Sequence, residues 1–384
     1  ATVNGDNTGA GAGQDVDILS ASHSYVSSFA TGAAVGAGGL GGALSSTTID
    51  RATSAYADQA ALQASNAVQV RAQSGQGVQA LGISLGGGVA GGAGMGVVAI
   101  LDGTTEAYLE DSTVNSATLD VAAESRSGVN LVGGSAAAGA GTVGAAVAVA
   151  ISDSTTRAAI YGGAVNVDGR VAVEAGSVTD FWNLAVSGSV AGIGFNGMAA
   201  VNIVGNTTEA IVSGADIEAG SATVAAEDEV NVRSYGGALT AGLNALGAAA
   251  DVTVVQSRVA AEVLNSTLDV ANALQVSAAS DVDVEHVAAS AGLGIGAGLS
   301  GSASLILLGN GSSGEAMAEL DKGGNGILSR VYELSEGDKL SHANADGLSA
   351  DQKQAFADVD NNENVLASRG HFENGGLDRV GDVA

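Results

Sequence analysis

A group of oxygen-bearing side chains is the best candidate in this sequence for binding a metal ion. The group consists of Asp358, Asp360, Asn362 and Asn364. Carboxylate and amide oxygens at alternate positions of a tight loop converge on Ca²⁺ in helix-loop calcium sites. Glu363 stands where such loops have their glycine, and Arg369 stands where they have a bidentate glutamate. Two hypotheses follow: a Ca²⁺ site, and a solvated loop that ends a short helix.

The sequence contains no motif that indicates nucleophilic catalysis. The four histidines are His23, His286, His342 and His371, and no spacing pairs them with a nucleophile or with each other as metal ligands. Glycine strings such as Gly292-x-Gly294-x-Gly296 resemble phosphate loops. They lack the lysine and the following helix of a P-loop, so we interpret them as architecture.

A carbohydrate-processing enzyme is a second possibility, because parallel β-helices can cleave polysaccharides. Such sites need clustered carboxylates and aromatic faces, and Phe181–Trp182 is the adjacent aromatic pair before residue 321. This pair either grips a glycan or marks an irregular turn or edge. We predict that the protein is not an enzyme, and we keep carbohydrate processing as the less favoured alternative.

Composition narrows the possible partners. The 384 residues include 41 acids and 13 bases, which gives a net charge of −28. Phosphate binding requires a basic surface, so nucleic acid is not expected as a partner. No uninterrupted apolar run reaches the length of a membrane-spanning helix. Strong acidity favours solubility and attracts divalent cations, so Ca²⁺ is the one cofactor that the sequence suggests.

A strand-like phrase recurs along the chain at intervals of 51 or 52 residues. It begins at Val16, Val68, Leu119, Val171, Ala222 and Leu274. Aligned units give columns of like residues, and these alternate with period two, as expected for strands with one buried face. The aliphatic column containing Val121 is predicted to be buried. Ser125→Asp is expected to be tolerated if the serine column faces solvent, because Asp228 occupies that column. Tyr56 and Tyr108 are predicted to form a short surface stack rather than a ligand platform.

Each unit also contains a glycine- and alanine-rich stretch of about 20 residues in which glycine keeps to one parity. Glycine on one face of a strand indicates that another backbone approaches it closely, as in a flattened coil. Each half-unit has its own strand and turn signature, which favours two coils per unit over one wide coil. Polar clusters at 102–105 and 205–208 are the predicted turns.

These patterns predict an all-β protein, a parallel β-helix (β-solenoid) of six units. Residues 1–15 are interpreted as the end of a preceding repeat or a linker, and residues 16–320 as the solenoid. Residues 321–384 are interpreted as a polar non-repeat cap, insertion or junction. They contain all three lysines and a capping-box pattern at 349–352 that indicates a short helix.

Residues 155–177 and 207–228 resemble repeats of very large exported bacterial proteins, the filamentous-haemagglutinin-like adhesins of two-partner secretion. The resemblance covers about residues 16–320 and rests on the pattern Thr-x-Ala-x-Ile followed by Val-x-Val-x-Ala-x-Ser. It implies an extracellular or cell-surface filament used for adhesion or as a scaffold, for example in a biofilm. The expected partners are further copies stacked end to end, and glycans or proteins of host or neighbouring cells. A purely structural matrix or sheath filament is the alternative.

Overall fold

The structure, a computed structural model, describes residues 2–7 and 15–309. All of its strands belong to one sheet in which every pair is parallel, in the order β1-β2-β3-β5-β6-β7-β8, with β4 pairing β2 and β6. The strands are β1 (Thr2–Asn7), β2 (Val16–Gln63), β3 (Ala67–Glu110), β4 (Thr113–Ser116), β5 (Thr118–Tyr161), β6 (Ala164–Ser213), β7 (Asp216–Leu264) and β8 (Thr267–Gly309). This all-β, parallel arrangement is consistent with a β-solenoid.

The strand register shows that one repeat unit forms one wide coil. Val16 lies opposite Val68, and the same pairing continues without a break in offset to Asp58 opposite Glu110. Later pairs keep offsets of 51 or 52 residues, except in the last part of the β7–β8 pair, where Asn244–Gln256 lie opposite Ala297–Gly309 at an offset of 53. The expectation of two coils per unit is therefore wrong, because both halves of a unit pair with the next unit and not with each other. We number the coils 1 to 6 from the six phrase positions given above.

In coils 1 to 5, a residue with left-handed backbone forms a corner of the coil. These corner residues are Gln59, Asp111, Gly162, Gly214 and Asn265, with φ between 44° and 69°. Such a conformation favours glycine and asparagine, and it recurs at the repeat distance. The turns predicted at 102–105 and 205–208 are wrong, because both segments lie inside β3 and β6. Their polar side chains include Thr105 and Asn206, which point into the core.

The apolar core is built from the inward columns that the sequence predicts. Val70, Val121 and Val173 are fully buried, whereas Val276 in coil 6 is 45% exposed. One apolar cluster packs the opening strands against the strands before the corner, and a second includes Val97, Leu101 and Leu131. Each buried aliphatic side chain contributes about 1.5–3 kcal/mol. The stack of like residues thus supplies the stabilising energy coil by coil.

The glycine-rich stretch folds back on itself as a thin two-layered arm. The arm of each coil consists of residues 29–44, 81–96, 132–147, 184–199, 235–250 and 287–303, which pair from coil to coil. A Cβ atom on Gly86 would overlap the carbonyl oxygen of Gly92 across the arm, and one on Gly294 would overlap that of Ala297. The predicted close approach of two backbones is confirmed, and it explains inward-facing glycines such as Gly86. It does not explain Gly94, which has the same parity in the returning segment but where a Cβ would meet no atom within 4 Å.

Candidate functional site

The predicted calcium ligands Asp358, Asp360, Asn362 and Asn364 lie outside the described residues, as do His342 and His371. Within residues 15–309, no group of three or more His, Asp and Glu side chains is placed to hold a metal ion. In the same part of the chain, no helix combines the length and apolarity that crossing a membrane requires. Three other features of the described structure are candidates for function.

The first candidate is an aromatic groove on the outer face of the opening strands, with a volume of about 480 Å³. We call it the aromatic groove, and its outward-facing polar and aromatic side chains are Tyr25, Gln79, Asn130, Asp180, Trp182, Asn231 and Arg233. They fall in two neighbouring outward columns that run along the stack from coil 1 to coil 5. Gly77 and Gly128 leave the intervening positions without side chains and form part of its lining.

Tyr25 lies at one end of this groove and is held there by two contacts. A Cβ atom on Gly77 would contact the Tyr25 ring at 2.8 Å, so the ring lies over that glycine. The Tyr25 hydroxyl donates a hydrogen bond of 2.8 Å to Oε1 of Gln79. The side chain contacts the sheet at Gly77 and is nevertheless 64% exposed, so much of the ring is open to solvent. Such a ring is a platform for an apolar ligand face.

Trp182 and Phe181 have opposite environments inside β6. Phe181 is 2% exposed and belongs to the core, whereas Trp182 is half-buried and lines the groove. The interpretation of this pair as an irregular turn or edge is therefore wrong. Asn231 donates a hydrogen bond of 3.2 Å to Asp180, which lies beside Trp182 in the groove. Aromatic faces beside amides and a carboxylate can bind the C–H faces and the hydroxyls of a sugar.

The second candidate is a set of buried polar side chains between the two apolar clusters. Asp228 occupies the serine column, and it accepts hydrogen bonds from Asn206 Nδ2 (2.9 Å) and Ser257 Oγ. Asn206 in turn accepts from Ser154 at 2.9 Å. Burial raises the pKa of Asp228, and these hydrogen bonds oppose that rise. The serine column is thus buried in coils 2 to 5, where Ser125 is 7% exposed, and does not face solvent there.

A second buried set joins coils 5 and 6. Asp251 accepts a hydrogen bond of 2.9 Å from Ser234, and His286 Nε2 lies 3.7 Å from the Asp251 carboxylate. His286 also contacts Thr253 through Nε2 and lies 3.3 Å from Ser304 through Nδ1. Burial raises the pKa of Asp251 to about 6 and lowers that of His286 to about 4. Removal from water disfavours the charged form of both groups.

This arrangement has the residue types of a Ser-His-Asp triad, but its side chains connect two neighbouring coils. The side chains of His286 and Asp251 are 2% and 0% exposed, so a substrate cannot reach the atoms between them. Sequence reasoning missed the pair because it examined spacing along the chain rather than columns. Along its column, His286 follows Leu131, Asn183 and Ser234, and this change from apolar to polar was the available signal.

The third candidate is the outer surface of the arm, where large aliphatic side chains are exposed. Val35 and Ile295 are each 90% exposed, and Val190 is 64% exposed. None of the arm segments defined above contains a charged residue, in a chain whose net charge is −28. Soluble monomers rarely expose contiguous apolar patches of more than a few hundred Å². The arm therefore has the character of a contact surface.

Comparison with known proteins identifies no relative. No protein-family model, no curated protein and no solved structure matches the chain.

Proposed function

We propose that this chain belongs to an exported bacterial surface or extracellular filament, in which a stacked β-helical rod acts in adhesion or as a scaffold. The observation that carries the proposal is the parallel pairing of six wide coils, each offset from the one before by 51 to 53 residues. A stack of this kind extends by adding coils and separates distant points of a chain. The resemblance of residues 155–177 and 207–228 to filamentous adhesins supports the same function.

The rod would extend by stacking copies or further repeats end to end. Among the described strands, β8 pairs on one side with β7 and has no second partner. A free strand edge offers backbone donors and acceptors to another chain. The proposed assembly is checked by light scattering and electron microscopy of the purified chain, in which end-to-end rods are expected. Particles that stay single at high protein concentration would contradict it.

The aromatic groove supports an adhesive role with glycans as the ligand class. Three coil spacings of about 4.8 Å place Tyr25 and Trp182 roughly 14 Å apart along the stack, enough for two to three sugar rings. Amide groups of Asn130 and Asn231 lie between or beside them. Asp180 is the one carboxylate among the groove-lining side chains, so the pair of acids used in glycoside hydrolysis is not assembled there.

A glycan array probed with the purified chain tests the adhesive role. Binding is expected to be lost in Tyr25→Ala and Trp182→Ala and retained in Tyr56→Ala, which removes an aromatic ring outside the groove. If no glycan is retained, the structural alternative of a matrix or sheath filament replaces adhesion. Release of new reducing ends from acidic polysaccharides would instead establish the less favoured alternative, a carbohydrate-processing enzyme.

The extracellular location is tested separately from ligand binding. An antibody raised against residues 15–309 is expected to label intact, unpermeabilised cells of the producing bacterium, or to detect the protein in the medium. Labelling that requires permeabilised cells would contradict the proposed location.

A further inference from the structure

The first half of each arm segment, before the chain folds back, forms one outer side of the arm, which carries Leu85 and Val190. On this outgoing side, rows of large apolar side chains (ridges) alternate with a row of small ones (a trough). We call this side the outgoing face, and its outward positions in coils 2 to 4 are Leu81, Ile83, Leu85, Gly87, Val132, Gly134, Ala136, Ala138, Leu184, Val186, Gly188 and Val190. Ile83 and Leu85 form a ridge in coil 2, and Val186 and Val190 form another in coil 4. Between them, coil 3 presents only small residues at Gly134, Ala136 and Ala138.

Two hollows lie in this trough, with volumes of about 390 and 310 Å³. Leu85 and Val190 border the first, and Ile83 and Val186 border the second, with Ala136 lining both. Their lining is almost wholly apolar. A hollow of this size and character accepts aliphatic side chains rather than a polar ligand.

We propose that the outgoing face is an interface with a second copy of this chain, in which the coil 4 ridge of each copy enters the coil 3 trough of the other. A twofold axis between trough and ridge satisfies both insertions at once, as in an isologous dimer. This lateral contact goes beyond the proposed function, because end-to-end stacking of rods does not use the arm.

Charge distribution favours a second copy as the occupant. The whole chain carries a net charge of −28, which opposes association of two copies through most of their surface. The arm segments contain no Asp, Glu, Lys or Arg, so contact through the arms keeps the acidic surfaces apart. It also buries no ion, which avoids the desolvation cost that charged interfaces incur.

The area of the outgoing face is close to the smallest area that specific protein–protein interfaces bury. Five coil spacings of about 4.8 Å and eight residues at about 3.3 Å give a face of roughly 24 by 26 Å, or about 600 Å². Two copies would bury about 1,200 Å² in total, which is the lower end for stable protein–protein contacts.

Sedimentation equilibrium of the full 384-residue chain tests the proposal. Wild type is expected to form dimers, and the double variant Leu85→Glu/Val190→Glu should raise the dissociation constant by roughly 100-fold, because it buries carboxylates in an apolar contact. Both side chains are at least half exposed, so the fold should tolerate the change. The matched control is Val143→Glu on the opposite side of the arm, where the residue is 58% exposed and dimers should persist.

Disulfide cross-linking and vesicle flotation test the same interface independently. The chain has no cysteine, so a mixture of Ala138→Cys and Val190→Cys should cross-link on oxidation faster than either variant alone. Wild type that is monomeric up to high concentration would overturn the proposal. So would a monomer that floats with neutral phosphatidylcholine vesicles and loses this property in the double variant, since lipid would then be the occupant. Neither outcome bears on cell-surface labelling.

Discussion

The rings of Tyr56 and Tyr108 stack with their centroids 4.8 Å apart and their planes 3° from parallel. The two residues are partners in the β2–β3 register, and their separation equals the spacing of paired strands. Equivalent residues of successive units therefore lie directly above one another. This stack was predicted from the repeat alone, and it shows what a change at one column position should do.

Val121→Asp should severely destabilise the protein. Val121 is fully buried in the first apolar cluster, and an unpaired carboxylate there should cost more than about 3 kcal/mol of unfolding free energy. Urea denaturation followed by circular dichroism measures the loss. Val276→Asp, in the same column but 45% exposed, is the control and should lose much less. Equal stability of Val121→Asp and wild type would contradict the assigned register.

Ser125→Asp should destabilise the protein, although the same column contains Asp228. Asp228 receives hydrogen bonds from Asn206 and Ser257. Around Ser125 the positions equivalent to these donors are Gly103 and Ser154, so one donor is missing. We expect a loss of roughly 2 kcal/mol. Asp228→Ser, which restores the usual residue of the column, is the control and should lose less. Melting of Ser125→Asp at the wild-type temperature would mean that the column faces solvent.

Gly86→Ala should weaken the arm. The added Cβ would overlap the backbone of Gly92, and overpacking of this kind costs roughly 1–3 kcal/mol. Gly94→Ala is the matched control in the same arm, because a Cβ there meets no atom within 4 Å. Thermal melts of the two variants are to be compared with wild type. The two-layered arm would be contradicted if both substitutions had the same effect.

Asp251→Asn should stabilise the protein above pH 6. The folded-state pKa of Asp251 is about 6, above its ordinary value, so wild type loses stability as pH rises from about 4 to 6. The variant avoids this loss, and its advantage should grow across that range and reach roughly 3 kcal/mol well above pH 6. Unfolding measured as a function of pH shows the trend. A difference that is constant from pH 4 to 8 would contradict it.

His286→Gln is the companion variant, and its pH dependence has the opposite sign. The folded-state pKa of His286 is about 4, below its ordinary value, so wild type loses stability as pH falls from about 6.5 to 4. The variant should therefore gain relative to wild type in acid. The same direction of pH dependence in both variants would show that the two groups are not separately buried.

Calcium binding remains a prediction about residues outside the described structure. Any gain in melting temperature with Ca²⁺ should depend on Asp358 and Asp360, which belong to the one concentrated oxygen loop in the sequence. Calorimetric titration compares wild type with Asp358→Ala/Asp360→Ala. Identical weak heats would mean that the acidity serves solubility.

The fold could be predicted largely from the repeat. Equivalent residues of stacked units share one environment, so the residue types in a column indicate whether that column is buried. The columns of Val121 and of the inner glycines were predicted correctly for this reason. The number of coils per unit was not, since periodicity fixes which residues are equivalent but not how often the chain turns between them. The turns were predicted wrongly because polar clusters were interpreted as exposed, although side chains such as Thr105 and Asn206 are buried. Asn206 is polar because it satisfies buried Asp228, and not because it faces water.

The candidate sites could be predicted only in part. Phe181–Trp182 was noticed as an aromatic pair, but the groove combines Trp182 with Tyr25, which lies more than 150 residues earlier. Such a neighbour becomes visible only once the register is known. Asp251 and His286 were missed for the same reason, because they meet across two coils.

The distance between two labels in one column tests most directly that each unit forms one coil. Asp17 and Gln275 are exposed, belong to the same outward column, and are five pairing steps apart. Because the chain has no cysteine, nitroxides can be attached at Asp17→Cys and Gln275→Cys and measured by pulsed electron paramagnetic resonance. One coil per unit predicts a separation of about 24 Å between the two backbone positions. A separation near 48 Å, roughly twice that value, would require two coils per unit and would contradict the account.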